Sequence, residues 1–89
     1  MATANAIAQA IENKRGTSAY SVWRIGITDN WSKRKQEWSD QGEDVSHFSA
    51  WEADSSSVSK TVEAHFINKG MKGGTGGTIT AATKYVYVF

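Results

Sequence analysis

Residues 20–38, YSVWRIGITDNWSKRKQEW, read as a strand, a tight turn and the opening of a basic helix, and the rest of the chain can be arranged around them. From Tyr20 to Thr28 the residues are mostly β-branched or aromatic, and they alternate. A strand sends successive side chains to opposite faces, so Trp23, Ile25 and Ile27 share one face. Tyr20, Val22, Arg24, Gly26 and Thr28 share the other. The first set is a core face. The second holds a cation, a glycine and two hydroxyls, an unusual lining for a strand interior. A glycine in a strand weakens it and often marks a close approach by another backbone or a ligand. Thr28, Asp29 and Asn30 then offer N-cap oxygens for a helix running to about Asp40.

On that helix Trp31, Lys35 and Trp38 stand at i, i+4 and i+7, with Arg34 adjoining. Trp31 and Trp38 are expected to anchor it in the core. Lys33, Arg34 and Lys35 follow one another and point three ways, so at most two can address one ligand. The planar fork of Arg34 suits a phosphate. A surface ion pair with Glu37 or Asp40 suits it equally.

Before the central stretch, residues 3–14 form an amphipathic pattern, with Ala4, Ile7, Ala8 and Ile11 on one face. Thr3 can cap this helix, Lys14 and Arg15 suit its C-terminal dipole, and Gly16 can stop it. After it, residues 39–46 form a polar turn around Gly42. Residues 47–54 read as a second strand, with Phe48, Ala50 and Glu52 on one side and His47, Ser49, Trp51 and Ala53 on the other. Residues 54–57 are an N-cap cluster for a helix to about Lys69, whose buried stripe is Val58, Val62 and Phe66, joined by Ile67. Glu63 flanks that stripe, ordinarily a solvated position, and His65 lies off it. Gly70 has the place of a C′ residue, with Met71 as its apolar follower. Residues 70–77 contain five glycines but no Gly-Lys-Ser/Thr, so they are not a P-loop. Backbone nests for phosphate and a loop hugging the sheet both remain open. Residues 83–89, TKYVYVF, are a last strand with Tyr85, Tyr87 and Phe89 on one face.

The expected architecture is a single α+β domain over residues 1–89: three strands, mainly antiparallel, packed by three helices. With 89 residues and no cysteine it has neither disulfides nor thiolate metal sites, and two histidines are too few for zinc without carboxylates. No apolar run is long enough to span a membrane, and a cytoplasmic protein is expected. The net charge of +1 conceals a segregation. Residues 14–35 carry six cations against Asp29, and residues 36–54 carry six anions and neither lysine nor arginine. Such blocks suit a basic surface for a polyanion opposite an acidic one, or interleaved solvated faces.

The stretch from Tyr20 to Gly70 resembles the GIY-YIG nuclease family. Arg24-Ile25-Gly26 occupies the family's second triplet, Thr28 follows, and Arg34 stands eight residues beyond Gly26, where the family places a phosphate-contacting arginine. SSSVSKTVEAHFINKG looks like the family's later helix, with Glu63 in the place of its metal-binding glutamate. The family's first triplet lies on a strand before the second and supplies a tyrosine. Here a helix precedes the RIG strand and the tyrosine-bearing strand is at the other end. A circular permutation would put KYVYVF beside Tyr20–Thr28 and bring in Tyr85 or Tyr87.

The resemblance implies metal-assisted phosphodiester hydrolysis by a divalent-metal-dependent endonuclease. Glu63 would hold Mg²⁺ or Mn²⁺, Arg34 would neutralise phosphate charge, and Tyr87 (or Tyr85 or Tyr20) would help deprotonate water. Lys33, Lys35, Lys72 and Arg24 would attract a nucleic-acid backbone, with DNA placed ahead of RNA. Two departures bear on this. Arg24 replaces the triplet's tyrosine, where it can bind phosphate or pair with Glu63 and block the metal ligand. Trp38 stands where the family commonly has a histidine. The alternative is a catalytically degenerate domain of the same shape, acting as a nucleic-acid-binding or protein-interaction module.

Overall fold

The computed structural model describes residues 2–73 and 83–89. Helix α1 (Ala4–Arg15) begins at Thr3, whose Oγ1 accepts from the Ala6 N–H, and ends at Gly16, which takes a φ of 59°. The chain then makes a single 3₁₀ turn at Tyr20–Val22 and enters β1 (Arg24–Thr28). The strand is therefore shorter than the alternation suggests. Tyr20 is drawn out of it by a hydrogen bond from its hydroxyl to Glu12 (2.8 Å) and by the Arg15 guanidinium 4.0 Å over its ring. Desolvation opposes ionisation of Glu12, but the Tyr20 and Arg15 hydrogen bonds hold its carboxyl below the ordinary value.

Helix α2 (Trp31–Asp40) is capped by Asn30, whose side chain accepts from the Lys33 N–H. A turn at Gly42 leads to β2 (Ser49–Glu52), and Ser55 caps α3 (Ser56–Asn68) through the Val58 N–H. Helix α3 closes with a Schellman arrangement: Met71 N–H to Phe66 C=O, Gly70 N–H to Ile67 C=O, and Gly70 at a φ of 115°. Met71 tucks into the core as its apolar follower. Then come β3 (Lys72–Gly73) and, last, β4 (Tyr85–Val88).

The sheet has four strands in the order β2-β4-β1-β3, one more than expected, and it is mixed. β4 runs antiparallel to both neighbours; β3 runs parallel to β1. Gly26 stands opposite Tyr87, and Tyr87 opposite Ala50. Alternation then divides the sheet. Ile25, Ile27, Val86 and Val88 meet Ile7, Ile11, Val62 and Phe66 of α1 and α3 in the core. Gly26, Tyr87 and Phe89 face the other way, toward α2. Two expected core residues are not in it: Trp31 is 43% exposed and Ile67 42%. Trp31 lies near the rim of the aromatic face, its ring 6.4 Å from that of Phe48. Among the described residues no helix is long and apolar enough to cross a membrane.

Candidate functional site

The α2 face of the sheet is an aromatic cluster built on Tyr87. Its ring stacks on Phe48 (centroids 5.2 Å apart) and on Phe89 (6.1 Å), and Trp38 tilts against Phe89 at 5.3 Å. The Trp38 indole N–H donates to the Tyr87 hydroxyl at 3.0 Å, linking residues 49 apart in sequence. Gly26 explains how the ring fits. A Cβ at this position would lie 2.3 Å from the Tyr87 hydroxyl oxygen and 2.4 Å from Cζ. The close approach that a glycine in this strand implies is therefore made by the Tyr87 ring.

Three charges singled out from the sequence act on the Tyr87 hydroxyl. Burial raises the Tyr87 phenol above its ordinary pKa. The Trp38 hydrogen bond and the charges of Arg34 and Arg24 oppose that rise, and the Glu63 charge adds to it. Arg34, Arg24 and Glu63 thus all lie within electrostatic reach of one hydroxyl, from α2, β1 and α3. Tyr87 itself is 1% exposed.

The environments of the three charges differ. Arg24 donates from Nη1 to the Gly73 carbonyl (2.7 Å) and lays its guanidinium 4.7 Å from the Trp38 ring centroid. It does not pair with Glu63. Arg34 makes the ion pair foreseen with Glu37, at 3.2 Å, with its side chain largely covered. Glu63 is half-buried, and desolvation pushes its carboxyl above the ordinary value. Among the described residues no hydrogen bond or ion pair offsets this. Its link to Tyr87 is one-sided for a physical reason: the carboxylate is ionised where the phenol titrates, whereas the phenol is neutral where the carboxyl titrates.

The remaining candidates are peripheral. Lys33 is exposed on α2, and the Lys35 ammonium stands 6.0 Å from the Phe48 centroid. Lys72 is exposed on β3. Tyr20 is committed to Glu12, and Tyr85 is half-buried at the start of β4. The glycine-rich segment proposed as a phosphate nest lies, beyond Gly73, outside the described residues. Among the described residues no three His, Cys, Asp or Glu side chains form a group able to hold a metal. A single unpaired carboxylate still suits Mg²⁺ or Mn²⁺, because Mg²⁺ characteristically takes one or two protein carboxylates and fills its shell with water and phosphate oxygens.

Sequence reasoning missed a second feature, a cavity of about 550 Å³ beside Arg24. Lys14, Arg24 and Lys72 line it together with Glu43, Asp44 and His47. The signal was the acidic segment following α2, but nothing local shows that it folds back toward β1. Comparison with protein-family models, with curated proteins and with solved structures finds no match to this chain.

Proposed function

We propose that this chain is a GIY-YIG-like nucleic-acid-processing domain, circularly permuted, that hydrolyses phosphodiesters with a divalent metal. One observation carries the reading: the C-terminal strand pairs antiparallel with the RIG strand and sets Tyr87 opposite Gly26. That is the placement a permutation requires, and it brings the Tyr87 hydroxyl within electrostatic reach of Arg34, Arg24 and Glu63.

In this reading Glu63 supplies the metal ligand, and its desolvated carboxylate, which has no hydrogen bond or ion pair among the described residues, gains by binding a cation. A divalent metal held by Glu63 would polarise the phosphate and stabilise the leaving oxygen. Arg34 neutralises charge developing on the phosphoryl oxygens. Arg24, held by Gly73 and Trp38, attracts the adjoining backbone. Tyr87 is protonated at neutral pH, so it orients water by its hydroxyl and does not act as a tyrosinate base.

A second reading is favoured by one specific fact. The Tyr87 hydroxyl is buried and already accepts from Trp38, which suits a structural tyrosine in a degenerate site that binds nucleic acid without cutting it. Plasmid nicking and oligonucleotide cleavage in Mg²⁺ and Mn²⁺ separate the two. Cleavage by the wild type that Glu63→Ala and Arg34→Ala both abolish, with circular dichroism unchanged, supports hydrolysis. No cleavage in either metal, with DNA binding that weakens steeply with salt, selects the degenerate reading.

A further inference from the structure

The cavity beside Arg24 joins Arg24 and Lys72 to Lys14, Trp23, Glu43 and Asp44, which no role above employs. Its volume, about 550 Å³, falls in the range of small-molecule sites, roughly 300–1,000 Å³. Three cations reach it from separate elements: Lys14 from the end of α1, Arg24 from β1 and Lys72 from β3. Three cations lining one cavity suit an anionic group. Trp23 and Phe89 add aromatic wall. The acids come from a single segment, the turn after α2, which contributes Glu43, Asp44 and His47. Hydrogen bonds from Ser46 hold the Asp44 carboxyl below its ordinary pKa, so this wall presents an ionised acceptor.

We infer that the cavity receives one nucleotide unit, a nucleoside monophosphate or the equivalent residue of a strand. The chemistry excludes simpler occupants. A bare phosphate would satisfy the lysines and leave Glu43 and Asp44 opposing it. A polyphosphate would set additional charge against the same acids. A single phosphate on a sugar and base matches all three parts. The phosphate meets Lys14, Arg24 and Lys72. The ring packs on Trp23 or Phe89, as bases stack on aromatic side chains. Ribose hydroxyls or base amino groups donate to Glu43 and Asp44. Arg24 also lies over Trp38, which hydrogen-bonds Tyr87, so the cavity and the Tyr87 cluster share a residue. For its place on a strand the inference rests on the nucleic-acid reading above; the binding of a mononucleotide does not depend on cleavage.

The test is a ¹H–¹⁵N NMR titration of the whole chain, without divalent metal, using adenosine 5′-monophosphate, adenosine and inorganic phosphate in turn. The expected result is saturable shifting of the Trp23 indole and Phe89 amide signals by the monophosphate, with adenosine and phosphate each about tenfold weaker or more. Lys14→Ala with Lys72→Ala, both on exposed side chains, lowers that affinity by a similar factor. Glu43→Gln with Asp44→Asn lowers monophosphate affinity but leaves or improves phosphate affinity. No saturable shift, equal binding of phosphate and monophosphate, or indifference to the paired lysine substitutions overturns the inference. Loss of cleavage with monophosphate binding intact counts against the hydrolytic reading alone. Cleavage without monophosphate binding counts against the cavity alone.

Discussion

Replacing Gly26 by alanine adds a single methyl group, and the geometry fixes where that methyl goes. It would stand 2.3 Å from the Tyr87 hydroxyl, 2.4 Å from Cζ and 2.8 Å from Cε1, all inside any permissible contact. The φ of Gly26 is not positive, so backbone strain contributes nothing. The ring must move. Phe48 and Phe89 stack against it and Trp38 holds its hydroxyl, so it cannot yield without disturbing all three. Overpacking of a buried site costs about 1–3 kcal/mol. Loss of the Trp38 hydrogen bond adds about 1 kcal/mol. Alanine's smaller backbone entropy loss returns roughly 0.5–1 kcal/mol. The expected net destabilisation is thus about 1–3.5 kcal/mol, a large share of the roughly 4–13 kcal/mol that a domain of this size possesses.

Urea unfolding followed by tryptophan fluorescence measures it directly, and double-mutant cycles test its cause. In a Tyr87→Phe background most of the cost should persist, because Cζ and Cε1 still clash. In a Tyr87→Leu background it should fall by about 2 kcal/mol, the coupling energy of residues in direct contact. A Gly26→Ala cost below about 0.5 kcal/mol, or one unchanged by Tyr87→Leu, would refute the argument that the ring lies across this glycine.

Two further outcomes follow from the partners of buried groups. Trp38→Phe leaves the Tyr87 hydroxyl without its donor, whereas Trp23→Phe removes an indole N–H that is buried with no hydrogen-bond partner among the described residues. Urea unfolding should show Trp38→Phe to be the costlier by about 1 kcal/mol or more. Glu63 has a folded-state pKa above its unfolded value, so the native state binds more protons between the two. Its contribution is therefore complete below the unfolded value and declines as pH rises through the folded one. Glu63→Gln should lack that decline and gain on wild type as pH rises above the ordinary carboxylate value, and Mn²⁺ should raise the melting temperature of wild type only. A parallel pH dependence in both proteins would count against the desolvated carboxylate.

The helices were legible because their boundaries are local chemistry. Thr3, Asn30 and Ser55 each accept from an N–H three residues on, and Gly70 sits where only a residue free to take positive φ is comfortable. The strands were less so. Tyr20 and Val22 alternate like a strand, but Tyr20 answers to Glu12, eight residues away, and the 3₁₀ turn follows. β3 is two exposed residues whose extended form comes only from pairing with β1. Periodicity revealed the stripes containing Trp31 and Ile67, though not that these two residues stay exposed. Of the site, the sequence marked Gly26 as a place of close approach without identifying the ring that approaches. Nothing local could join Trp38 to Tyr87, or carry Glu43, Asp44 and His47 to the mouth of Arg24.

β4 accounts for both the success and the difficulty of the reading. Among the described residues it is the only strand that pairs with both β1 and β2, so it joins the two halves of the sheet. Val86 and Val88 complete the core on one face while Tyr87, between them, completes the aromatic cluster on the other. Alternation ties these roles together: a shift of β4 by one residue would put Tyr87 into the α1–α3 core and a valine opposite Gly26. Gly26 resists such a slip, since it is the space over this glycine that accepts the ring. The register of the last strand, the packing of the core and the seating of the Tyr87 ring over Gly26 are consequently a single structural fact. Any substitution at Tyr87 perturbs all three together. Activity lost on changing Tyr87 would accordingly say little about chemistry, whereas Glu63 and Arg34, outside the sheet and away from its register, can be changed with the frame left standing.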